Sequence, residues 1–450
     1  MRDCSIPTMK RRPAATCLAV SVPTSHFTAR FAGALALALA FAGPAAAAGN
    51  AASNWPQWRG PNGNGTSEER GLAEKWSRSS GIVWRLELPG PAGSTPAVWN
   101  DRIFLTSPDK TELVLLCVSR DGKELWRKKV ATGNKNYRDD EGNSSAPSPF
   151  TDGEHVWAFF GTGDLASFDL DGNPAWQTNL RERYGEYDQW HGYSSTPLLV
   201  GDTIYQMCLR MKDPYVVALD KANGKERWKR TRECDAEHES RHSYASPVLY
   251  PDEKRSLLLI HGGDCLSAHR LDNGEEVWRC GSLNPKDNYN RFLRFVASPT
   301  VAPGLIVIPS AKGNPILGVR PDGTGDVTST HVAWRRGRDT TDVPTPVILD
   351  GLVYNLRENG VMICLDARSG DEIYQQRLHA TRQRASPVAA DGKIYCADRD
   401  GVVHVLRAGR AFEVISRNEM GEAIASTPAV AGGRIYLRTF KALYAVEKRG

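Results

Sequence analysis

The sequence predicts an all-β protein, an eight-bladed β-propeller made of four-stranded antiparallel blades. A Ser/Thr-Pro phrase returns eight times along the chain, with its prolines 41 to 53 residues apart. It alternates with a second phrase, in which a turn precedes a strand that carries an aromatic residue. No segment shows a long helical period. About four short strands in each repeat of this length are typical of a propeller blade, and seven blades are the alternative if one unit does not close.

The first phrase predicts the innermost strand of each blade. Small side chains fit where the blades crowd around the axis, and one side of such a strand is a free edge. A proline there costs no hydrogen bond of the sheet, because the missing N–H would have no strand partner. The eight prolines are Pro96, Pro149, Pro197, Pro247, Pro299, Pro346, Pro387 and Pro428.

The second phrase, for example "NGKERWKRT", predicts the outermost strand. Its glycine allows the positive φ of a tight hairpin, and its aromatic side chain provides a large apolar surface to pack on the neighbouring blade. The strand at 81–88 precedes the first proline phrase, so we expect it to complete the blade begun by 427–447 and to close the ring. The eight docking aromatics are Trp84, Trp126, Trp176, Trp228, Trp278, Trp334, Tyr374 and Phe412.

The N-terminal segment resembles a secretory signal. An apolar run at 31–43 follows Arg30, and Ala46 and Ala48 offer a small-residue cleavage site. The run is shorter than the roughly 20 residues that span a bilayer. We therefore expect a signal peptide at 1–48, an N-terminal extension at 49–80 and the propeller at 81–450. The predicted location is the periplasm or cell envelope, for a monomer with no transmembrane segment in the mature chain.

Two tryptophans and an arginine precede a "PNGNG" turn in the extension, at 55–65. We expect this stretch to pack on the side or base of the ring. The alternative is a recognition hook that binds a partner.

The charge balance argues against nucleic-acid binding. The chain has 57 Lys+Arg and 52 Asp+Glu, a net charge of +5. Residues 1–48 hold five of the basic residues and one acidic residue, which leaves 52 against 51 in the predicted mature chain. Bulk electrostatic attraction to a nucleic acid is therefore not expected.

Seven of the nine cysteines lie outside the predicted signal, and none forms a C-x-x-C motif. Attached haem and zinc knuckles therefore have no support. Cys265 and Cys280 flank the turn "LDNG" almost symmetrically, so they could face each other across a hairpin and form a disulfide in an oxidising compartment. Two reduced core cysteines are the alternative.

The connections that precede the proline strands should emerge on one face of the ring, around the mouth of its channel. They bring acids and histidines from one side and arginines from the other. Such a mouth would suit a partner protein or a small polar ligand, although solvated loops explain it equally well. The candidate binding residues are Asp139, Asp140, Asp188, Trp190, His191, His238, Arg241, His242, Arg291, Arg294, Arg382 and Arg384.

The sequence does not predict a metal site, although two sets of residues resemble one. His191, His238 and His242 could hold a metal by composition, but three histidines from two loops are more often unrelated. The turns "FDLDGN" and "ADRDG" partly resemble calcium loops but lack the remaining oxygen ligands, so we interpret them as hairpin turns.

The alternation of S-T-P strands with A-x-D-x-x-x-G-x-x-x-W, as in Ala218, Asp220, Gly224 and Trp228, resembles the pyrroloquinoline-quinone (PQQ) repeat propellers. The resemblance covers 81–447, and the prefix "NWPQWRGPNGNG" resembles secreted members from environmental bacteria. It implies one of two activities: quinone-dependent alcohol or sugar oxidation, or the non-catalytic partner binding of the BamB-type propeller of outer-membrane barrel assembly.

For a quinone enzyme, the resemblance implies an adjacent Cys-Cys pair, a Trp against the cofactor, bound calcium and an Asp base. This chain has no Cys-Cys and no long insertion to cover a cofactor. We therefore expect a non-catalytic protein- or ligand-binding scaffold without a cofactor and with no catalytic residues. The alternative is a PQQ-dependent alcohol or sugar dehydrogenase that holds PQQ and calcium. The chain departs from the BamB type in its tryptophan-rich prefix and in having no lipidation cysteine, which leaves the partner open.

Overall fold

The computed structural model describes residues 54–137, 142–253, 255–337 and 340–448, so the predicted signal segment lies outside the described residues. Its strands form eight four-stranded antiparallel blades, which confirms the predicted fold class. Within the described ranges, helix is confined to Leu180–Tyr184 and two 3-10 turns, His238–Arg241 and Lys286–Asn288. No helix of this part is both long and apolar enough to cross a membrane.

The blades follow each other along the chain, and each starts at the axis. The innermost strands are Ala97–Trp99, Phe150–Thr151, Leu198–Val200, Val248–Tyr250, Thr300–Ala302, Val347–Leu349, Val388–Ala390 and Ala429–Ala431. The second strands are Arg102–Asp109, His155–Phe159, Thr203–Cys208, Leu257–Gly262, Leu305–Ile308, Leu352–Leu356, Lys393–Ala397 and Arg434–Arg438. The third strands are Glu112–Ser119, Asp164–Asp169, Tyr215–Asp220, Cys265–Arg270, Ile316–Val319, Val361–Asp366, Val402–Arg407 and Ala442–Glu447.

The outermost strands are Glu124–Thr132, Pro174–Asn179, Glu226–Thr231, Glu276–Cys280, Val332–Arg336, Glu372–Arg377, Val414–Glu419 and Ile82–Glu87. The last of these pairs antiparallel with Ala442–Glu447, so the N-terminal strand closes blade 8. Four short strands add to the ring: Thr66–Ser67 parallel to blade 7, Gly325–Asp326 parallel to blade 4, and the hairpin of Asn136–Tyr137 with Gly142–Asn143.

Burial changes from the middle of a blade to its edge. In blade 3 the second strand, Thr203–Cys208, is buried along its whole length, whereas the outermost strand, Glu226–Thr231, is exposed except at Trp228. Middle strands lie between two neighbouring blades, so both of their faces are covered. The continuous apolar runs of the sequence therefore mark the middle strands, and the aromatic residues mark the contacts of the edge strands.

Trp228 shows how the outermost strand contacts the next blade. Its indole Nε1 donates to the carbonyl of Leu271, 3.0 Å away in blade 4. Its ring lies on Gly274, where a Cβ would come within 2.5 Å of the ring. Trp84, Trp126, Trp176, Trp278 and Trp334 make the same kind of indole-to-carbonyl bond, and Tyr374 contacts Phe412 edge-on at 5.5 Å.

The residues before the repeated prolines form a chain of hydrogen bonds around the axis. In each link, the backbone N–H of one Ser or Thr donates to the side-chain hydroxyl of its counterpart in the next blade. The seven links, at 2.9 to 3.1 Å, join Thr95, Ser148, Thr196, Ser246, Ser298, Thr345, Ser386 and Thr427 in that order. Blades 8 and 1 are joined differently, by the hydroxyl of Ser426 and the carbonyl of Ser94 at 3.0 Å.

The N-terminal extension packs on the base of the ring. Trp55 is fully buried and exchanges two backbone hydrogen bonds with Val98 of blade 1. Arg59, 1% exposed, reaches across to the carbonyls of Pro346 at 2.6 Å and Pro387 at 3.0 Å. The extension therefore connects blade 1 to blades 6 and 7 at the end of the channel where the innermost strands turn back.

The suggested Cys265–Cys280 disulfide is not formed, and both residues are free buried thiols. A β-bulge between Ala268 and His269 shifts the register of this hairpin, so Cys280 lies opposite Leu266. Neighbours along a strand point to opposite faces of the sheet. Cys265 therefore points away from Cys280, and the symmetry about the turn is lost at the bulge.

Candidate functional site

The connections that precede the innermost strands meet at one end of the channel, at the mouth. Six of them, from the blade 1–2 connection to the blade 6–7 connection, line a single cavity of about 160 Å³. A cavity with walls from six successive blade junctions lies on the axis of the ring, and we call it the axial cavity. Its polar lining includes Tyr137, Asn143, His191, Tyr244, Arg294 and Arg384.

The axial cavity has a basic lining. Arg294, Arg384 and His191 contribute to it, and no Asp or Glu of the described residues does. Arg294 faces Asp342 with both nitrogen–oxygen distances at 3.5 Å, longer than the 2.7–2.9 Å typical of a charge-assisted hydrogen bond. Its Nε is buried without a hydrogen-bond partner. The cavity is therefore suited to a small anionic group.

His191 is positioned by the two connections that flank blade 3. Its backbone N–H donates to the Tyr244 hydroxyl at 3.1 Å, and its ring nitrogen Nε2 lies 3.3 Å from the carboxylate of Glu239. Glu239 is itself buried. The imidazole is therefore held at the cavity wall by groups from the following connection.

Asp188 and His242 form a second acid–histidine pair. His242 is fully buried, and its Nε2 lies 3.4 Å from Asp188 Oδ1. Asp188 also accepts the backbone N–H of Met211 at 3.2 Å. Partial burial opposes ionisation of Asp188, but these hydrogen bonds outweigh it and lower the pKa of the carboxyl. The pair holds the blade 2–3 connection against the blade 3–4 connection.

Beside the axial cavity lies an exposed aromatic patch, which consists of Trp190, His238 and Phe292. Trp190 is 53% exposed and Phe292 is 52% exposed. The His238 ring stands edge-on to both, with ring centroids at 5.1 Å and 4.8 Å. The guanidinium of Arg291 lies 5.2 Å from the centre of the Phe292 ring. Large exposed aromatics of this kind are enriched at protein interfaces.

The other candidate residues have different positions. Arg241 is occupied by the carbonyls of Ala236 at 2.8 Å and Met211 at 2.9 Å, so it supports the loop. Arg382 is exposed, and its carbonyl accepts the N–H of Arg399 at 2.9 Å. Asp139 and Asp140 lie outside the described residues.

The three histidines considered for a metal, His191, His238 and His242, are divided between the cavity wall, the aromatic patch and the buried pair. Across the described ranges, one group of three ligand-type side chains has atoms within 4.8 Å of one another, and it is elsewhere: His379, Asp398 and His404. Sequence reasoning missed this group, because spacings of 19 and 6 residues match no metal motif.

The two turns with paired aspartates are hairpin turns. Asp169 accepts the N–H groups of Asp171 and Asn173, both within 2.9 Å. Asp398 accepts the N–H of Val402 at 2.9 Å. Their carboxylates are used to fix the backbone of the turn.

The opposite end of the channel contains a larger chamber of about 1100 Å³. Its walls are the innermost strands and following turns of blades 3 to 7, together with residues 57–70 of the extension. The extension thus closes one side of the channel base and leaves this space beside it.

Comparison with known proteins identifies the family of this chain. The model of the family described as outer membrane protein assembly factor BamB matches residues 66–211 and 324–449, more than half of the chain. The chain belongs to this BamB-like family of PQQ-repeat propellers. No curated protein matches its sequence significantly.

Solved structures of a BamB protein and of quinone-type dehydrogenases share the fold of this chain. BamB from Moraxella catarrhalis has a TM-score of 0.59 at 15% identity, over 81% of this chain and 99% of that one. A europium-containing methanol dehydrogenase has a TM-score of 0.66 at 11% identity, over 87% and 90%. A quinohemoprotein alcohol dehydrogenase from Comamonas testosteroni has 0.64 at 11%, over 88% and 81%. Identities this low establish the fold alone.

The docking tryptophans of this BamB-like propeller are used within the fold. Trp228 and its counterparts are fixed by carbonyls of the neighbouring blade at the periphery of the ring. The axial cavity, at about 160 Å³, is below the roughly 300 Å³ at which pockets for drug-sized ligands begin. With no adjacent cysteine pair in the sequence, the described residues at the mouth do not match the set that the resemblance implies for PQQ and calcium.

Proposed function

We propose that this propeller is a non-catalytic binding module that holds a loop of a partner protein at the mouth of its channel. The observation that carries the proposal is the pair Trp190 and Phe292, two aromatic side chains about half exposed on either side of His238. Exposing them to water is unfavourable by roughly 25 cal/mol for each Å² of apolar surface. A partner that covers them would recover this free energy.

The lining of the axial cavity indicates which chemical group of the expected partner it would bind. The connection that contains Trp190 also contains His191 of the cavity, and the one that contains Phe292 also contains Arg294. A partner loop with an apolar side chain on the aromatic patch can therefore place a neighbouring group in the cavity. Since the cavity lining holds two arginines and no carboxylate of the described residues, we expect that group to be an Asp or Glu side chain.

The proposed location is the periplasm or cell envelope. Two observations support it: the signal-like segment at 1–48, and membership of a family described by an outer-membrane assembly factor. Detection of the protein in the cytoplasmic fraction, with residues 1–48 retained, would contradict this location.

Affinity capture with matched variants tests the binding function. The tagged mature protein is incubated with a cell-envelope extract of its source, beside the Trp190→Ala–Phe292→Ala variant. The control is Val83→Ala–Leu125→Ala, which removes two side chains 46% and 47% exposed on outermost strands of blades 8 and 1. We expect a protein captured by the wild type and the control to be lost with the aromatic variant. Equal capture by all three would contradict the proposal.

A second variant tests the acidic character of the partner. Arg294→Gln keeps a polar side chain of similar length but removes the positive charge at the cavity. We expect the captured protein to bind this variant at least about tenfold more weakly, as for a lost charge-assisted contact. Unchanged affinity would contradict the role of the axial cavity.

The alternative function is a PQQ-dependent alcohol or sugar dehydrogenase. It is favoured by the structural likeness to the methanol and alcohol dehydrogenases and by the chamber of about 1100 Å³ at the base of the channel, which is large enough for a cofactor. Titration of the mature protein with PQQ and Ca²⁺, combined with an assay of alcohol and sugar oxidation, distinguishes the two functions.

A further inference from the structure

Three side chains with metal-ligand chemistry meet where the blade 6–7 connection lies against blade 7. His379 follows the outermost strand of blade 6, Asp398 begins the turn after the second strand of blade 7, and His404 lies within the third strand of that blade. One ligand atom from each lies within 4.8 Å of the others. Asp398 and His404 are 2% and 3% exposed, while His379 is half-buried. The group is enclosed by protein and opens toward solvent on the His379 side.

Two of the three ligand atoms are already at metal-binding separation. His404 Nε2 lies 3.0 Å from Asp398 Oδ2. Two ligands of one tetrahedral Zn²⁺, each about 2.0–2.2 Å from the metal, are roughly 3.3 Å apart. A cation bound to both groups would take the place of the proton between them, and the neutral imidazole of His404 would then carry its proton on Nδ1.

The hydrogen bonds around His379 fix which of its ring nitrogens carries the proton. The Gln383 amide nitrogen donates to the carbonyls of Ala385 at 2.6 Å and Ala397 at 2.8 Å, so its oxygen is directed at His379 Nε2, 2.9 Å away. The oxygen accepts the Nε2 proton, which puts the lone pair on Nδ1. This lone pair accepts the Thr381 hydroxyl at 3.0 Å, so a cation would take the place of that hydroxyl. Metal-binding histidines are typically held in this way, with the second N–H donated to a carbonyl or carboxylate.

His404 has a buried nitrogen that no group of the described chain satisfies. Its Nδ1 has no hydrogen-bond partner, although the ring is almost wholly buried. Its ring stacks on that of His379, with centroids 5.1 Å apart and planes 19° apart.

We propose that His379, Asp398 and His404 form a binding site for one late first-row divalent cation such as Zn²⁺. Two imidazoles and one carboxylate favour this class over Ca²⁺ and Mg²⁺, which prefer all-oxygen sites. A shift of the half-buried His379 side chain, in which Nδ1 exchanges the Thr381 hydroxyl for the cation, completes the coordination. Since the same connection carries Arg384 of the axial cavity, the cation also fixes the position of that loop. The proposed cation site does not rest on the proposed partner-binding function.

Calorimetric titration of the chelator-treated mature protein with ZnCl₂ tests the site. We expect saturation at one equivalent, a higher melting temperature, and no saturable heat with CaCl₂. The variant His379→Ala, which changes a half-buried loop residue, should weaken Zn²⁺ binding at least about tenfold. Its melting temperature without metal, measured first, shows that it is folded.

The control is His331→Ala, which removes another half-buried histidine near a carboxylate, 3.8 Å from Asp322. It should bind Zn²⁺ as the wild type does. Three outcomes of the titrations would overturn the proposal: no saturable binding by the wild type, wild-type affinity in His379→Ala, or loss of binding in His331→Ala. X-ray absorption of the Zn²⁺-loaded protein should show imidazole scattering from two ligands, and an all-oxygen shell would also overturn it.

Discussion

The backbone N–H of Ser246 donates to the side-chain hydroxyl of Ser298, 2.9 Å away in the next blade. The same link is repeated around the axis by the residues that precede the repeated prolines. At this crowded position a buried N–H needs an acceptor, and the neighbouring blade supplies one. The Ser/Thr of the repeat is therefore required for its hydroxyl as well as for its small size.

Replacing one of these hydroxyls should destabilise the ring. Ser298→Ala leaves the N–H of Ser246 buried without an acceptor, at an expected cost of about 1–3 kcal/mol in the free energy of unfolding. The control is Thr95→Val, because Thr95 Oγ1 is buried and accepts no such bond from the described chain. Urea denaturation measures both. Similar losses in the two variants would contradict the role of the hydroxyl.

Removing a docking indole should lower the free energy of unfolding by more than removing one of these hydroxyls. Trp228→Ala deletes the contact with blade 4 and the hydrogen bond to Leu271, and we expect a loss of about 3–5 kcal/mol. Thermal or urea unfolding provides the measurement. A loss below about 1 kcal/mol would mean that Trp228 does not hold the two blades together.

Gly274, which lies against the Trp228 ring, should tolerate a larger residue poorly. Gly274 has a φ of +72°, and a Cβ there would lie 2.5 Å from the Trp228 ring. Gly201, with a φ of +59°, has nothing within 4 Å of such a Cβ. Gly274→Ala should therefore lower the melting temperature more than Gly201→Ala, since both lose the left-handed backbone and only the first also displaces the indole. Equal shifts would show that the ring contact is unimportant.

Deletion of residues 49–65 tests whether the extension is part of the fold. The deletion removes the buried Trp55 and the bonds from Arg59 to Pro346 and Pro387. We expect a clearly lower melting temperature, because the channel-base ends of the innermost strands lose their cover. Unchanged melting would favour the recognition-hook interpretation of this segment.

Stability should fall as the solution is acidified. Burial, followed by repulsion from Arg232, lowers the pKa of His261 to about 3, against about 6.5 in an unfolded chain. Between these values the unfolded chain binds the additional proton, so the contribution of His261 to stability is complete above pH 6.5 and decreases below it. At pH 5 the loss is about 2 kcal/mol. His261→Leu should have a shallower fall in stability from pH 7 to pH 5, and an unchanged slope would contradict this origin.

The repeated phrases allowed the sequence to predict the blades, their order and the closing strand. Corresponding strands of the eight blades occupy equivalent environments, so one residue pattern is imposed eight times and becomes visible. The connections at the mouth were also identified, because they lie just before each proline strand. The contacts within these connections could not be predicted. The contact of His191 with Glu239 and that of His242 with Asp188 depend on loops with no repeated pattern.

Features that depend on register or on distant partners could not be predicted. The bulge at Ala268 and His269 adds one residue to one strand, which is enough to turn Cys265 away from Cys280. Arg59 bonds to carbonyls roughly 290 and 330 residues away. His379, Asp398 and His404 come together from a connection, a turn and a strand. In each case the contact is set by the closed ring and leaves no local pattern in the sequence.

The most direct test of the central claim, that this propeller binds and does not catalyse, is a titration of the mature protein with PQQ and Ca²⁺. Absorbance follows cofactor binding, and a dye-linked assay follows alcohol and sugar oxidation, beside a quinohemoprotein alcohol dehydrogenase as positive control. We predict no saturable absorbance change and no dye reduction above the protein-free rate. Saturable PQQ binding with turnover would contradict the account and identify the protein as a dehydrogenase.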